Sequence, residues 1–177
     1  MGDTTAATTL NQKVLEYARG KLDQQVSRGE CWDLAEEAVT QSGGESSTKL
    51  TGVNGKAFET ADYKWGTPVE LKDAQPGDVL QFKGHSFEQK TTTSAGWTSE
   101  EQNRGHHTAI VEQNLGDGRL IVLEQHVRPA GEKEVSKKVQ RREIFVKNDA
   151  TIKEGGAVKT IKTKGAVKRE RAAKHER

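Results

Sequence analysis

Apolar residues recur every three or four positions along the first part of the chain, which is the spacing of an amphipathic helix. The first set comprises Val14, Leu15, Ala18, Leu22 and Val26. It predicts a helix over about residues 10–25. A second set, with Trp32, Ala35 and Val39 on one face, predicts a helix over about residues 31–41, and the SGGESS run ends it.

Further along the chain, apolar and polar positions alternate, which is typical of half-buried strands. Residues 65–71 and the VLQF run after the QPGD turn predict two short strands, whereas residues 83–105 predict a long polar loop. HTAIVEQ and RLIVLEQHV predict a hairpin that turns at Asp117-Gly118, and RREIFV and GAVKTI predict further strands. Helices followed by antiparallel strands indicate the α+β class.

Composition limits the size of the core and divides the chain. Of the 177 residues, 32% are hydrophobic and 31% are charged, so we expect one domain with a modest core over residues 1–158. Residues 159–177 carry eight Lys or Arg and two Glu, which predicts a basic, disordered tail. The 28 basic and 26 acidic residues nearly cancel, so the net charge argues neither for nor against a nucleic-acid partner. No obligatory nucleic-acid partner is expected, and polyanion binding by the tail is the alternative.

Signals for export or membrane insertion are not recognisable in the sequence. MGDTTAATTLNQK has no basic segment followed by an apolar run, and no stretch approaches the ~20 apolar residues that span a bilayer. We therefore expect a cytoplasmic protein, with export by a route that needs no such signal as the alternative. The single cysteine excludes an intramolecular disulfide. The oligomeric state is left open.

The lone cysteine stands where a helix is predicted to begin. Cys31 follows the loop RGE, and unpaired N–H groups at a helix start stabilise both a thiolate and the oxyanion of a tetrahedral intermediate. A thiol nucleophile needs a base, which His107, at the start of a predicted strand, can supply. The alternatives are a buried structural thiol and a solvated loop histidine. No metal-ligand spacing occurs, so no metal is expected.

A catalytic histidine also needs an orienting partner for its second ring nitrogen. Glu124 and His126 share one face of the strand predicted to lie opposite His107. A tight hairpin would place Ala109 opposite His126, so His126 would lie diagonally near His107 and Glu124 farther off. A bulge would alter this register.

Four motifs occur in an order found in known families: GECWDLA, QPGDVLQF, HHTAIVE and LIVLEQHV. They resemble CHAP (cysteine, histidine-dependent amidohydrolase/peptidase) and NlpC-type hydrolases over about residues 10–130. The resemblance implies a papain-like fold, with N-terminal helices packed on an antiparallel sheet. It puts Cys31 in the nucleophile place, His107 in the base place and Glu124 in the orienting place. His126 stands where CHAP domains usually carry asparagine, and NlpC-type enzymes often use a histidine there.

The function that this resemblance implies is hydrolysis of an amide bond through an acyl-enzyme, without a cofactor, on a peptide or peptidoglycan-like substrate. Chemistry and family position favour Glu124 as the third catalytic member, with His126 beside the site. The motifs also resemble a papain-like domain in fungal actin-patch SH3 proteins. A non-catalytic binding or scaffolding module is the alternative function, which the missing export signal favours because peptidoglycan lies outside the bacterial cytoplasm.

Overall fold

Helices precede a single sheet in the computed structural model, which describes residues 8–52, 62–129 and 131–175. The helices are α1 (Leu10–Gly20), α2 (Cys31–Gln41) and α3 (Ser47–Thr51), and a short 3-10 helix spans Leu71–Asp73. The strands are β1 (Gly66–Pro68), β2 (Val79–Thr93), β3 (Gly96–Gly116), β4 (Arg119–Glu124), β5 (Gln140–Phe145), β6 (Thr151–Glu154) and β7 (Ala157–Ala172). None of the helices in these residues has the length and apolar composition that a bilayer crossing requires.

The strands pair antiparallel in the order β1-β7-β2-β3-β4-β5, and β6 pairs with β7 outside this path. Alternate residues of β2 and β3 enter two apolar clusters. Helices α1 and α2 pack against one of them, which includes Val79, Ile110 and Leu123. The other includes Phe82 and Val111. The α+β class, with N-terminal helices packed on an antiparallel sheet, is therefore confirmed.

Helix α2 occupies the predicted residues, but α1 ends at Gly20, before the predicted residue 25. Asp23 and Ser27 have φ angles of 62° and 50°, a left-handed conformation that does not continue a helix. The Asp23 N–H instead donates to the carbonyl of Val139. Apolar spacing continued to Val26 because that side chain is buried, although its backbone is not helical.

The prediction of a polar loop over residues 83–105 is wrong. These residues extend β2 and β3 into a long antiparallel ladder, which continues to the pair Thr93 and Gly96. Most of their side chains beyond residue 87 are exposed on both faces. A strand without a buried face shows no apolar alternation, so its sequence resembles that of a loop.

The prediction of a disordered tail is also wrong, for residues 159–175. Strand β7 lies between β1 and β2, and the predicted boundary at residue 158 falls inside it. Ile161 is buried in the sheet, and Arg171 forms an ion pair with the buried Asp78. Two of the positive charges that suggested a solvated tail, Lys168 and Arg171, thus have acidic partners on distant parts of the chain. Residues 176 and 177 lie outside the described residues.

Candidate active site

Helix α2 and strands β3 and β4 bring three of the predicted residues together. His107 Nε2 lies 2.9 Å from Glu124 Oε2, and the His107 ring is also hydrogen-bonded to the thiol of Cys31. Since Nε2 faces the carboxylate, the other ring nitrogen, Nδ1, faces the thiol. The three side chains form a continuous thiol–imidazole–carboxylate chain, which is the arrangement that acyl transfer to a thiol requires.

The position of Cys31 is fixed by the loop that precedes α2. Asp33 Oδ2 accepts a hydrogen bond of 3.1 Å from the N–H of Glu30, which caps the helix start. The buried amide of Gln125 accepts from Val26 N–H at 2.8 Å, and donates to the carbonyls of Val26 at 3.1 Å and Glu30 at 2.7 Å. Glu124 and Gln125 are adjacent in sequence, so the end of β4 positions both halves of the site.

Sequence reasoning missed this role of Gln125. The available signal was a polar residue on the face of a strand that packs against the predicted helices. A buried amide needs hydrogen-bond partners, and a loop with unpaired backbone groups is where it finds them.

The surroundings of the Cys31 thiol favour its ionised form. Burial raises the pKa of the thiol, but the hydrogen bond and the charge of His107 lower it more, together with the N–H groups of Thr108 and Trp32. The resulting pKa lies below the ordinary value of the thiol. Trp32 belongs to the first turn of α2, so part of this stabilisation comes from the helix start.

The imidazole of His107 is correspondingly held in its protonated form. Burial lowers its pKa, but the hydrogen bonds to Cys31 and Glu124 raise the pKa to about 9. For the Glu124 carboxyl, burial raises the pKa, but His107 and Arg104 lower it more. The pKa of this carboxyl therefore falls to about 2. The lowered pKa of the thiol and the raised pKa of the imidazole both favour a thiolate–imidazolium pair over the neutral pair.

The tight-hairpin register is wrong, because two irregularities interrupt the β3–β4 ladder between Val111 and Gln113 and between Asn114 and Gly116. Ile110 consequently pairs with Leu123, which brings Glu124 rather than His126 to His107.

His126 lies beyond the end of β4 with a φ of 63°, and its Nδ1 is 3.3 Å from Glu30 Oε2. The structure thus brings Cys31, His107 and Glu124 together and leaves His126 beside them. Their catalytic roles stay predictions.

Arg104 is a further buried residue of the site that the sequence did not reveal. Its Nη2 lies 2.7 Å from Glu124 Oε1, and its Nε lies 3.1 Å from Glu124 Oε2. Sequence reasoning missed it because it falls in the stretch that was predicted to be a polar loop. An arginine in such a stretch gives no signal that its guanidinium is buried.

A cavity of about 610 Å³ adjoins the imidazole, between β3 and the segment that follows β4. His107 and His126 both border it, whereas Cys31 is partly exposed outside its lining. Its other charged lining residues are Glu100, Glu101, Arg104, His106, Arg128 and Glu132. This volume is within the range of cavities that bind small ligands, and its lining carries both signs of charge.

Comparison with known proteins gives the family. Residues 4–155 match the family model described as "AIM3/BBC1 Cysteine proteinase-fold domain". The chain belongs to this family. It is also similar to "Altered inheritance of mitochondria protein 3" of Debaryomyces hansenii, with 28% identity over 131 residues, 64% of this chain and 12% of that protein. The chain thus spans a small part of that relative's length, and no solved structure gives a significant match.

The family model confirms a cysteine proteinase-type fold, and the two matches support the resemblance to the papain-like domain of fungal actin-patch proteins. The finer resemblance to CHAP and NlpC-type hydrolases, and peptidoglycan as a substrate, receive no support from these matches. The family match ends at residue 155, although β7, which begins at Ala157, is an inner strand of the sheet.

Proposed function

We propose that this domain is a cysteine hydrolase that cleaves an amide bond through an acyl-enzyme on Cys31. The observation that carries the proposal is the continuous hydrogen-bonded chain from Cys31 through His107 to Glu124, with the thiol at the start of a helix. A buried structural thiol needs no ionised imidazole beside it. A nucleophilic thiol does, because the thiolate is the reactive form.

The reaction would proceed in two acyl-transfer steps. The Cys31 thiolate attacks the carbonyl carbon, and the His107 imidazolium gives its proton to the amide nitrogen as the carbon–nitrogen bond breaks. The neutral imidazole then takes a proton from water, which attacks the acyl-enzyme and releases the carboxylic acid. Glu124 holds the ring in one orientation throughout and stabilises its charged form. N–H groups at the start of α2 would stabilise the oxyanion.

The substrate that we propose is a peptide or isopeptide amide of a protein. A relative of this domain occurs in Debaryomyces hansenii, and a yeast does not build peptidoglycan. The cavity beside His107 offers polar groups and both signs of charge to such a chain. The cytoplasmic location expected from the sequence also stays a prediction.

A second candidate function is a binding module in which the same residues have only a structural role. Two observations favour it: His107 is only 5% exposed, and Cys31 lies outside the lining of the neighbouring cavity. A thiol that no substrate reaches would still be ionised and would still hold α2 against β3.

Exposure to activated acyl donors distinguishes the two candidates. We would incubate the protein with a set of peptidyl p-nitrophenyl esters and follow its intact mass. The proposal predicts an acyl adduct on Cys31 that disappears with time as water hydrolyses it. Cys31→Ala and His107→Ala should form no adduct, whereas His175→Ala, which changes a histidine that pairs with Glu45 outside the cavity lining, should behave like the wild type. Acylation of wild type no faster than of His107→Ala would exclude catalysis.

A further inference from the structure

Arg104 and His107 are both buried, although they lie three positions apart on β3. In a regular strand, residues three apart point to opposite faces. Here Gly105 and His106 between them are both exposed, and the β2–β3 pairing keeps one register from His107 to Arg104. Both side chains nevertheless reach the same carboxylate, that of Glu124.

The neighbouring strands β2 and β7 are irregular close to Arg104. Gly84 and Gly165 both have left-handed φ angles, of 59° and 79°. A Cβ atom on Gly165 would lie only 2.1 Å from the Gly84 carbonyl oxygen, so the backbones approach closely there. The β2–β7 ladder shifts its register at the same place, between Lys83 and Ser86. The sheet is thus distorted beside the β2 position that pairs with Arg104.

The guanidinium of Arg104 holds Glu124 through both carboxylate oxygens, at 2.7 Å and 3.1 Å. Two further acceptors fix the guanidinium itself: the carbonyl of Asn103 at 3.1 Å and Oε1 of Gln102 at 2.9 Å. The side chains of Arg104 and Glu124 are 3% and 0% exposed. A buried, two-point ion pair of this kind leaves the carboxylate a single orientation.

We propose that Arg104 is a positioning residue of the acyl-transfer site, which fixes Glu124 so that Oε2 meets His107 Nε2. This inference rests on the proposed function. Arg104 contacts neither the thiol nor the imidazole in the hydrogen bonds of the described residues, so it acts through the carboxylate. It also completes a charge-balanced group of thiolate, imidazolium, carboxylate and guanidinium.

Removing the guanidinium should raise the pKa of the Cys31 thiol, for two reasons. The buried carboxylate loses its orientation and holds the imidazolium less firmly, and a positive charge disappears from the group. Both changes make the Cys31 thiolate less stable, so its pKa rises. Lysine in place of arginine keeps the charge but cannot hold both oxygens in a planar fork, so it should give a smaller rise.

The test is the rate at which iodoacetamide alkylates Cys31 as a function of pH. The chain has one cysteine, so every adduct reports on this residue. Arg104→Gln should move the rise of the rate to higher pH by on the order of one unit, as a nearby charge does. Arg104→Lys should shift the rise of the rate by less. If Arg104→Gln does not fold, the Arg104→Lys variant is sufficient for the test.

Arg171→Gln is a matched control. Arg171 holds the buried Asp78 with the same two-point geometry, at 2.9 Å and 3.0 Å, and Asp78 is not part of the triad. Its loss should lower the melting temperature without moving the alkylation profile. A folded Arg104 variant with the profile of Arg171→Gln would show that Arg104 has only a structural role, and would overturn the inference.

The alkylation profile needs no substrate, so this inference and the proposed function can fail separately. If the Arg104 variants shift the profile but wild type forms no acyl-enzyme, the positioning role stands and the hydrolase proposal falls. If wild type forms the acyl-enzyme but the variants leave the profile unchanged, the hydrolase proposal stands and the role of Arg104 falls.

Discussion

The two halves of the β2–β3 ladder differ in burial although they share one pattern of backbone pairing. The inner half pairs residues 79–82 with 107–110, and all of these side chains are buried. The outer half pairs residues 86–93 with 96–103, and most of these side chains are exposed. The inner half lies against the helices and carries His107, whereas the outer half extends away from the core.

The difference shows that backbone pairing alone produces no recognisable pattern in the sequence. The inner half has two buried faces, and its apolar residues predicted strands. The outer half has the same hydrogen-bond ladder but little to bury, so its sequence predicted a loop. Arg104 lies at the junction of the two halves, where a polar stretch enters the core.

Strand β7 joins the two halves, because it pairs with β2 from Val79 to Thr92. Deleting residues 157–177 should therefore unfold the domain. The deletion removes one of the two partners of β2 along nearly its whole length, exposes the core around Ile161 and leaves Asp78 without Arg171. Circular dichroism on heating would measure the effect. A truncated protein that melts near the wild-type temperature would show that the sheet does not need β7, as a disordered tail would have implied.

The substitutions Glu124→Gln and His126→Ala compare the buried carboxylate with the partly buried histidine beyond the end of β4. Glu124→Gln should lower kcat for an ester or amide substrate on the order of a hundredfold or more, since positioned acid–base groups contribute that much. His126→Ala should change kcat by only a few-fold, because His126 faces Glu30 rather than His107. A larger loss in His126→Ala would mean that His126 is the third catalytic member.

The free energies of unfolding of Phe82→Ala and Trp97→Ala compare the two halves of the ladder directly. Phe82 is fully buried in the inner half, so its truncation should cost about 3–5 kcal/mol of unfolding free energy. Trp97 is 65% exposed and contacts mainly Lys90, whose Nζ lies 4.7 Å from the ring centre. Its truncation should cost about 0.5 kcal/mol or less. Urea unfolding would measure both, and similar values would mean that the outer half is part of the core.

The sequence predicted the elements whose side chains bury one face, and this includes most of the site. Cys31 was found because a polar loop changes to an amphipathic helix there, and His107 because it begins an apolar strand. The choice between Glu124 and His126 could not be derived from alternation, because the bulges in β3 that set the register have no recognisable sequence pattern. Family resemblance favoured the residue that the structure brings to His107.

Contacts between distant segments could not be predicted in the same way. The basic residues of β7 suggested a solvated tail because nothing local shows that Arg171 has a buried partner, Asp78, far away in the sequence. Arg104 was hidden for the same reason, since its partner Glu124 lies on another strand. Local charge patterns therefore indicated exposure where the fold instead forms buried ion pairs.

The central claim, that Cys31 and His107 form a nucleophile–base pair, is tested most directly by titrating the thiolate through its ultraviolet absorbance near 240 nm, with Cys31→Ala as the blank. The account predicts that the thiolate appears at a pH below the ordinary thiol pKa, since His107 lowers the pKa of Cys31. The thiolate should form while the imidazole is still protonated, because the imidazolium beside it loses its proton only at about pH 9. In His107→Ala the thiol should ionise at or above its ordinary value. A wild-type thiol that ionises there too would contradict the account.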